Sequence, residues 1–363
     1  MGFWQWFLNN LGGAGPAPVE RPVHGDAAQP APAVATATVV AAAPKPYAAV
    51  PETAIDSPAA PVWWRPVDGG LLDLSSPPEP ELSTELRALE GKLISHFDGH
   101  DLSVPPMPQT ADRVLRKLRD TKTSAKDIAK DLADDQVSAA YVLRLANSAL
   151  YRGASKITNL QAAVARLGVQ AIRTLMMHQS MRAALFHGRS ADRQLVDWVW
   201  TGSLASAAIM HQFALLFRRD PDEAFLLGLI HDIGNVIVLR EVHNHGHASY
   251  AGVDLTTFEY LCAETHQEFG ELIATAWDLP PNMRSLVADH HRLPEPDDPL
   301  KMDRAMLMLT EMIKQMLGFT GPMQYDLLRS SPAEILGLSQ RPDMDRFLEK
   351  LPERIDETLE PLS

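Results

Sequence analysis

Cysteine, basic charge and long apolar runs are all scarce in this sequence, and each shortage excludes a class of protein. A single cysteine, Cys262, allows neither a disulfide framework nor a cysteine-rich zinc site and suits a reducing compartment. Lys and Arg number 33 against 46 Asp and Glu, and the resulting net charge of −13 argues against nucleic-acid binding. No apolar run reaches the roughly 18–20 residues of a membrane span. We therefore expect a cytoplasmic protein with no transmembrane segment and no nucleic-acid partner.

Residues 1–78 are predicted to form a disordered, low-complexity tail. Between residues 12 and 61 the chain is dominated by Ala, Pro, Gly and Val, so it buries too little apolar surface to offset the entropy of ordering. A short apolar peptide with Trp4 and Trp6 stands at its start. This peptide either packs loosely on the folded body or docks in a partner's groove on a long tether.

Residues 79–363 are predicted to form one all-α body. Apolar residues recur at helical spacing, and no run alternates as a half-buried strand would. Helix-start patterns are frequent: Ser124 with Asp127, Asp135, Asn159, Asp220, and Thr265 with Glu268. The last pattern places His266 in the first turn of a helix. Gly168 is predicted to end a helix.

The body is organised around an apolar helix that ends in a His-Asp pair. Residues 224–239 read AFLLGLIHDIGNVIVL, and the helical part is apolar nearly all round, so it should be buried. His231 and Asp232 enter the core at its end, and Gly234 permits a break. Buried charges need partners. The pair therefore either binds a metal with other His and Asp side chains or forms a hydrogen-bonded pair that fixes the turn.

Five sequence motifs follow one another along the chain. They are YVLRLANSALY at 141–151, ITNLQAAVARLG at 157–168, GLIHDIG at 228–234, THQEFG at 265–270 and a late His290-His291. This order resembles the HDOD family of bacterial signalling proteins, whose domain is related to the HD phosphohydrolases. The resemblance covers roughly residues 100 to 300. It implies an all-helical domain that serves as a regulatory or scaffolding output without demonstrated catalysis.

The resemblance also implies where a metal would bind if enzymatic chemistry were kept. In HD enzymes, His and Asp ligands from separate helices hold divalent cations that acidify a water for attack on a phosphoester. Here the matching cluster is His231, Asp232, His266, His290 and His291. Because adjacent helical positions diverge by about 100°, we expect one residue of the late His pair to face the cavity and the other to face water.

Two departures from the enzyme pattern predict that catalysis is lost. Gly202 stands where an upstream ligand His of a W-x-H-S pattern is expected. Asn235 replaces the Lys that follows HDIG in phosphodiesterases of the HD-GYP type, and no GYP triplet occurs. A lost ligand usually leaves a metal under-coordinated. We therefore expect a vestigial cluster with no catalytic residue and no cofactor, with a bound divalent metal as the alternative.

These observations predict a non-enzymatic signal-transduction module that binds a protein partner, with or without a nucleotide second messenger. One alternative is a divergent metal-dependent phosphohydrolase acting on a nucleotide, and another is a cyclic di-nucleotide binder that does not hydrolyse its ligand. Arg144 and Arg173 are candidates for holding a phosphate or for pairing with acids such as Asp131 and Asp134.

Overall fold

The computed structural model describes residues 80, 82–99, 104–120, 122–148, 151, 155–186, 193–245, 253–319 and 326–359. Every regular element in these ranges is a helix, so the all-α prediction is confirmed. The α-helices are α1 Thr84–Gly99, α2 Gln109–Lys117, α3 Ala125–Ala133, α4 Gln136–Ala146, α5 Leu160–Phe186, α6 Arg193–Phe217, α7 Pro221–Ile230, α8 Asn235–His245, α9 Leu255–Ala276, α10 Pro281–Asp289, α11 Lys301–Met316, α12 Ser331–Ile335, α13 Met344–Glu349 and α14 Leu351–Leu359. The predicted tail, residues 1–78, lies outside the described residues.

Side-chain caps fix the starts of several helices where the sequence predicts them. Ser124 and Asp127 form the reciprocal capping box of α3. The Asp135 carboxylate accepts from the Val137 backbone N–H at 3.0 Å and opens α4. The Asp220 carboxylate accepts two backbone N–H groups at 2.9 and 3.0 Å and opens α7. These caps satisfy amide groups that have no acceptor within their own helix.

Gly168 breaks α5 into two segments. Its φ of 77° lies in a region that L side chains rarely adopt, so a glycine is required at this kink. Asn159 opens the first segment, because its side-chain oxygen accepts from the Ala162 N–H at 2.8 Å. The predicted helix end at Gly168 is therefore a real interruption, and the chain continues as helix immediately beyond it.

Helix α6 lies at the centre of the fold, against α7, α11 and α14. Its side chains are buried from Ser203 to Ala214 without interruption. Among the described helices it is the one long and apolar enough to cross a membrane, although 83% of the apolar window is buried inside the fold. A core helix passes the same test of length and composition, so this finding is weak support for a membrane span.

The start predicted for the helix that carries His266 is wrong. Helix α9 begins eleven residues earlier, where the Asp254 carboxylate accepts from the Thr257 N–H at 2.8 Å. Thr265 lies inside the helix, and its hydroxyl donates to the Leu261 carbonyl at 2.8 Å. A Thr followed three residues later by Glu occurs in helix interiors as well as at helix starts. His266 is consequently a buried residue in the middle of a long helix.

Candidate functional site at the His-Asp turn

The His-Asp pair occupies a tight, buried turn between α7 and α8. His231 is the C-cap residue that directly follows α7, and Asn235 begins α8. Gly234 lies so close to α9 that an added Cβ would stand 1.9 Å from the His266 carbonyl oxygen. The absence of a side chain at Gly234 thus allows backbone to meet backbone. This contact brings His266 beside Asp232.

Three histidine rings form a group with the Oδ1 atom of Asp232. The Asp232 Oδ1 atom is 3.2 Å from His290 Nε2 and 3.6 Å from His266 Nε2. His266 Nε2 is 3.3 Å from His290 Nε2 and 3.1 Å from His291 Nε2. The four atoms come from three separate segments of the chain. We call this group the histidine cluster.

The prediction that one residue of the late His pair faces the cavity and the other faces water is borne out in part. His290 is fully buried and His291 is exposed, yet the Nε2 atoms of both rings reach His266. Helix α10 ends at Asp289, and His290 caps it with helical backbone angles. The chain turns at this point and brings both rings to the same side.

Backbone carbonyls fix the orientation of the rings in the histidine cluster. His266 Nδ1 donates to the Cys262 carbonyl at 2.8 Å, and His290 Nδ1 donates to the Val287 carbonyl at 3.1 Å. In a neutral ring this leaves the Nε2 lone pair facing the cluster. Burial lowers the pKa of His266 to about 4. Although His291 is exposed as a residue, desolvation of its ring within the cluster, helped by His290 and His266, lowers its pKa to about 2. Both rings are therefore neutral near pH 7.

The histidine cluster fits a single divalent transition-metal ion. Tetrahedral ligands at about 2.0–2.1 Å from an ion stand roughly 3.3–3.4 Å from one another. Four of the six separations among these atoms are 3.1–3.6 Å, which bracket that value, and all six are within 4.8 Å. Neutral imidazoles whose other nitrogen donates to a backbone carbonyl are the usual form of a metal-binding histidine. Asp232, His266, His290 and His291 would be the four ligands.

The other side of Asp232 holds a buried network that the sequence did not reveal. Glu311 and Lys314, both on α11, enter the core opposite the histidine cluster. The Lys314 Nζ atom lies 3.0 Å from Asp232 Oδ2 and 2.7 Å from Glu311 Oε1. His231 Nε2 is 2.8 Å from the same Glu311 oxygen. We call His231, Asp232, Glu311 and Lys314 the ion-pair network.

Opposite charges set the protonation states in the ion-pair network. Burial acts to lower the pKa of His231, but Asp232 and Glu311 outweigh it and raise the pKa to about 9. Burial acts to raise the pKa of Glu311, but Lys314 and His231 lower it to about 2. The pKa of Asp232 is likewise held well below its usual value, because His231 and Lys314 outweigh its burial.

The ion-pair network is electrically balanced at neutral pH. Two cations, His231 and Lys314, face two carboxylates, Asp232 and Glu311. His231 Nδ1 donates to the Gly228 carbonyl at 2.8 Å, so both ring nitrogens are donors. Buried charges remain tolerable when they are paired in this way.

The two residues that depart from the enzyme pattern have different surroundings. A Cβ atom added at Gly202 would meet nothing within 4 Å, so open space stands where the missing side chain would begin. Asn235 is buried, and its Oδ1 atom has no hydrogen-bond partner in the described part of the chain.

Asn147, in the RLANSALY segment, has a structural role. Its Nδ2 group donates to the Leu143 and Ile157 carbonyls at 2.8 and 2.9 Å, and its Oδ1 accepts from the Ile157 N–H at 2.8 Å. These bonds join the end of α4 to the segment that leads into α5. Of the acids named as possible partners of Arg144 and Arg173, Asp131 pairs with Lys117 and Asp134 with Arg113. The Arg144 guanidinium lies over the Tyr141 ring, and Arg173 donates to the Gln170 side chain.

Comparison with known proteins gives the family of this chain. The family model of the HDOD domain matches residues 104–293, which is more than half of the chain. The chain belongs to the HDOD domain family. The match includes the His-Asp turn and the late His pair but ends before Glu311 and Lys314. The ion-pair network is therefore completed by a helix that follows the matched HDOD region.

Two solved structures share the HDOD fold of this chain. A protein of Shewanella amazonensis SB2B, provisionally described as a metal-dependent phosphohydrolase, is 20% identical with a TM-score of 0.55, covering 74% of this chain and 99% of that one. A protein of Marinobacter aquaeolei VT8, provisionally described as a signal transduction protein, is 22% identical with a TM-score of 0.52, covering 76% and 64%. These low identities support the shared fold alone.

A curated relative extends the similarity to a longer protein. An uncharacterized protein of Treponema pallidum (strain Nichols) is 21% identical over 234 residues, which are 61% of this chain. The matched region spans 43% of that protein's length.

Proposed function

We propose that this HDOD chain is a non-enzymatic signal-transduction module that acts through contact with a protein partner. The observation that carries the proposal is the buried ammonium of Lys314. It lies 3.0 Å from Asp232 and 2.7 Å from Glu311, where the two carboxylates would otherwise offer oxygen ligands to a cation. A second metal ion on this side of Asp232 would have to displace that ammonium from the core.

His231 supports the same proposal. Its Nε2 atom donates to the Glu311 carboxylate at 2.8 Å and its Nδ1 donates to the Gly228 carbonyl, so both ring nitrogens carry a proton. A metal ligand must present a lone pair. With a pKa raised to about 9, chiefly by Asp232 and Glu311 against the effect of burial, the ring keeps both protons near pH 7. Its nitrogens are therefore committed to hydrogen bonds.

The histidine cluster offers a closed ligand set to any metal that it holds. Three His nitrogens and one Asp oxygen would supply all four ligands of a tetrahedral ion, which is typical of structural sites, whereas catalytic sites keep one position for water. A divalent metal in the histidine cluster would act as a Lewis acid, but this ligand set leaves no coordination position for a water nucleophile. Metal binding here is thus compatible with an absence of turnover.

Elemental analysis combined with a phosphodiesterase assay tests the proposal. The full chain, purified without a histidine tag, should hold at most one transition-metal ion and should not hydrolyse linear or cyclic nucleotides with Mg²⁺, Mn²⁺ or Fe²⁺. An Asp232→Asn variant provides the matched control because it keeps the shape of the side chain. Two metal ions per chain, or turnover that this variant abolishes, would overturn the proposal.

A metal-dependent phosphohydrolase is the second candidate, and the geometry of the histidine cluster favours it. Four ligand atoms from separated segments are preassembled at separations suited to one ion. The candidate requires that one ligand, such as the exposed His291, leave the metal to admit water. A His291→Ala variant should then hydrolyse a nucleotide diester faster than wild type, and equal inactivity of both proteins rejects this candidate.

The apolar peptide at the start of the tail gives a separate prediction about the partner. Residues 1–78 lie outside the described residues, so this prediction rests on the sequence alone. If the apolar peptide docks on a partner and not on the body, deleting residues 1–12 should leave thermal unfolding unchanged. Recruitment of a partner should weaken if the apolar peptide docks in a groove. Unchanged recruitment would reject the docking peptide, and a lower melting temperature would indicate packing on the body. The predicted cytoplasmic location belongs to this proposal too.

A further inference from the structure

A cleft of about 340 Å³ opens near the start of α10. Helices α2, α5, α7 and α10 and the connection between α9 and α10 contribute to it. Its charged lining residues are Arg119, Arg173, Arg284 and Asp278. Three cations and one anion in a chain of net charge −13 make this a local concentration of positive charge.

The three arginines differ in how far they are already neutralised. Arg119 is paired with the Asp278 carboxylate and donates to the Asp278 carbonyl at 2.7 Å. Arg173 donates to the neutral Gln170 side chain at 2.8 Å. The Nε atom of Arg284 is buried and has no hydrogen-bond partner among the described residues. Two guanidinium groups therefore face the cleft without a carboxylate to balance them.

The start of α10 adds the positive end of a helix dipole. Its N-cap is Pro280, and Pro281 follows as the first helical residue. Both prolines line the cleft, but neither carries an N–H group, so they donate no hydrogen bond to a ligand. The dipole favours an anion beside them, and the hydrogen bonds to that anion would come from the two arginines.

The remaining lining is apolar. Leu115, Met177, Leu226, Trp277 and Leu279 form this part of the wall. The Trp277 indole N–H donates to the Pro105 carbonyl at 2.9 Å, which fixes the ring in place. A cleft with a few convergent polar groups on an apolar wall is typical of a small-molecule site, and its volume is near the lower end of such sites.

We propose that this cleft binds the phosphate ester of a mononucleotide-sized ligand, with Arg173 and Arg284 on the phosphate and the apolar wall against the organic part. Guanidinium groups suit this role because their paired N–H donors match phosphate oxygens. The site is distinct from the His-Asp turn. Arg284 lies on α10, and His290 immediately follows the end of that helix, about 9 Å away along its axis. A ligand in the cleft would therefore hold the helix that positions the histidine cluster.

Calorimetric titration of the full chain tests the proposal with defined probes. GMP, AMP and their 3′,5′-cyclic forms should include at least one saturable ligand, while guanosine, which lacks phosphate, should not bind. Arg284→Gln should weaken binding of that ligand roughly tenfold or more, as expected for a lost charge-assisted bond. Arg284→Lys should recover part of the loss, because it keeps the charge without the paired donors.

Arg329→Gln is the matched control, since Arg329 is an exposed arginine paired with Asp326 at 3.5 Å outside the cleft. It should bind the probe as wild type does. Saturable binding by none of the four probes would overturn the proposal. So would affinity that survives the Arg173→Gln and Arg284→Gln double variant in a folded protein. Equal affinity for inorganic phosphate and the nucleotide would also overturn it, because the apolar wall would then contribute nothing.

Discussion

Replacing Lys314 with methionine is the sharpest test of how the ion-pair network stabilises the fold. Methionine has a similar length and is accepted in apolar cores, so Lys314→Met removes the charge with little change of volume. Asp232 and Glu311 would then share the single remaining cation, His231. The four-residue network becomes a three-residue group of net charge −1.

The expected loss of stability follows from the distances. At an effective dielectric constant of about 20, opposite unit charges at such separations attract by roughly 6 kcal/mol per pair. Burying an ammonium costs several kcal/mol, which cancels part of that attraction. Removing one partner of a buried ion pair typically destabilises a protein by about 3–5 kcal/mol. We expect Lys314→Met to fall in this range and to lower the melting temperature by on the order of 10 °C.

Urea unfolding at pH 7 in chelator-treated buffer provides the assay, with Lys350→Met as the control because Lys350 is largely exposed. That control should change stability by less than about 0.5 kcal/mol. The double variant Lys314→Met, Glu311→Gln should regain part of the loss, since it removes the unpaired carboxylate as well. A single variant within about 1 kcal/mol of wild type, or no recovery in the double variant, would refute the reasoning.

Three further substitutions probe features elsewhere in the fold. Burial lowers the pKa of His178 to about 3, so its contribution to stability is present above the ordinary value of 6.5 and is lost as the pH falls. His178→Phe should therefore flatten the decline in unfolding free energy between about pH 4 and 6 by about 1.4 kcal/mol per pH unit, and an unchanged slope in urea titrations would contradict this. Gly234→Ala should cost about 3 kcal/mol or more, because its Cβ would collide with the His266 carbonyl, and a near-native urea midpoint would disprove that contact. Asn147→Ala should cost about 2–3 kcal/mol by removing its bonds to Leu143 and Ile157, and hydrogen exchange at the Ile157 amide should accelerate; unchanged exchange there would argue against the bond.

The helical class and many helix starts could be predicted because their causes are local. Ser124, Asp135 and Asp220 each cap a helix through backbone groups only two or three residues away. The pattern at Thr265 misled for the same reason, since a local pattern does not reveal a helix that has already begun at Asp254. Boundaries inside long helices therefore need information beyond the neighbouring residues.

The histidine cluster could be anticipated from the HD order, but the ion-pair network could not. Glu311 is 80 residues from its partner His231, and no local signal joins the two. One clue was present in the composition of α11. Glu311 and Lys314 lie among Leu307, Leu309, Met312 and Ile313, so apolar residues occupy every side of that part of the helix. Charged residues in such a stretch must face the interior together.

The internal ammonium makes two positions in the fold interdependent. A second metal ion beside Asp232 would require both a ligand at Gly202, where open space is available, and the loss of Lys314. A ligand at Gly202 alone would leave the ammonium in the place of the ion, and the loss of Lys314 alone would cost stability. The effects of substitutions at the two positions on metal binding are therefore not additive.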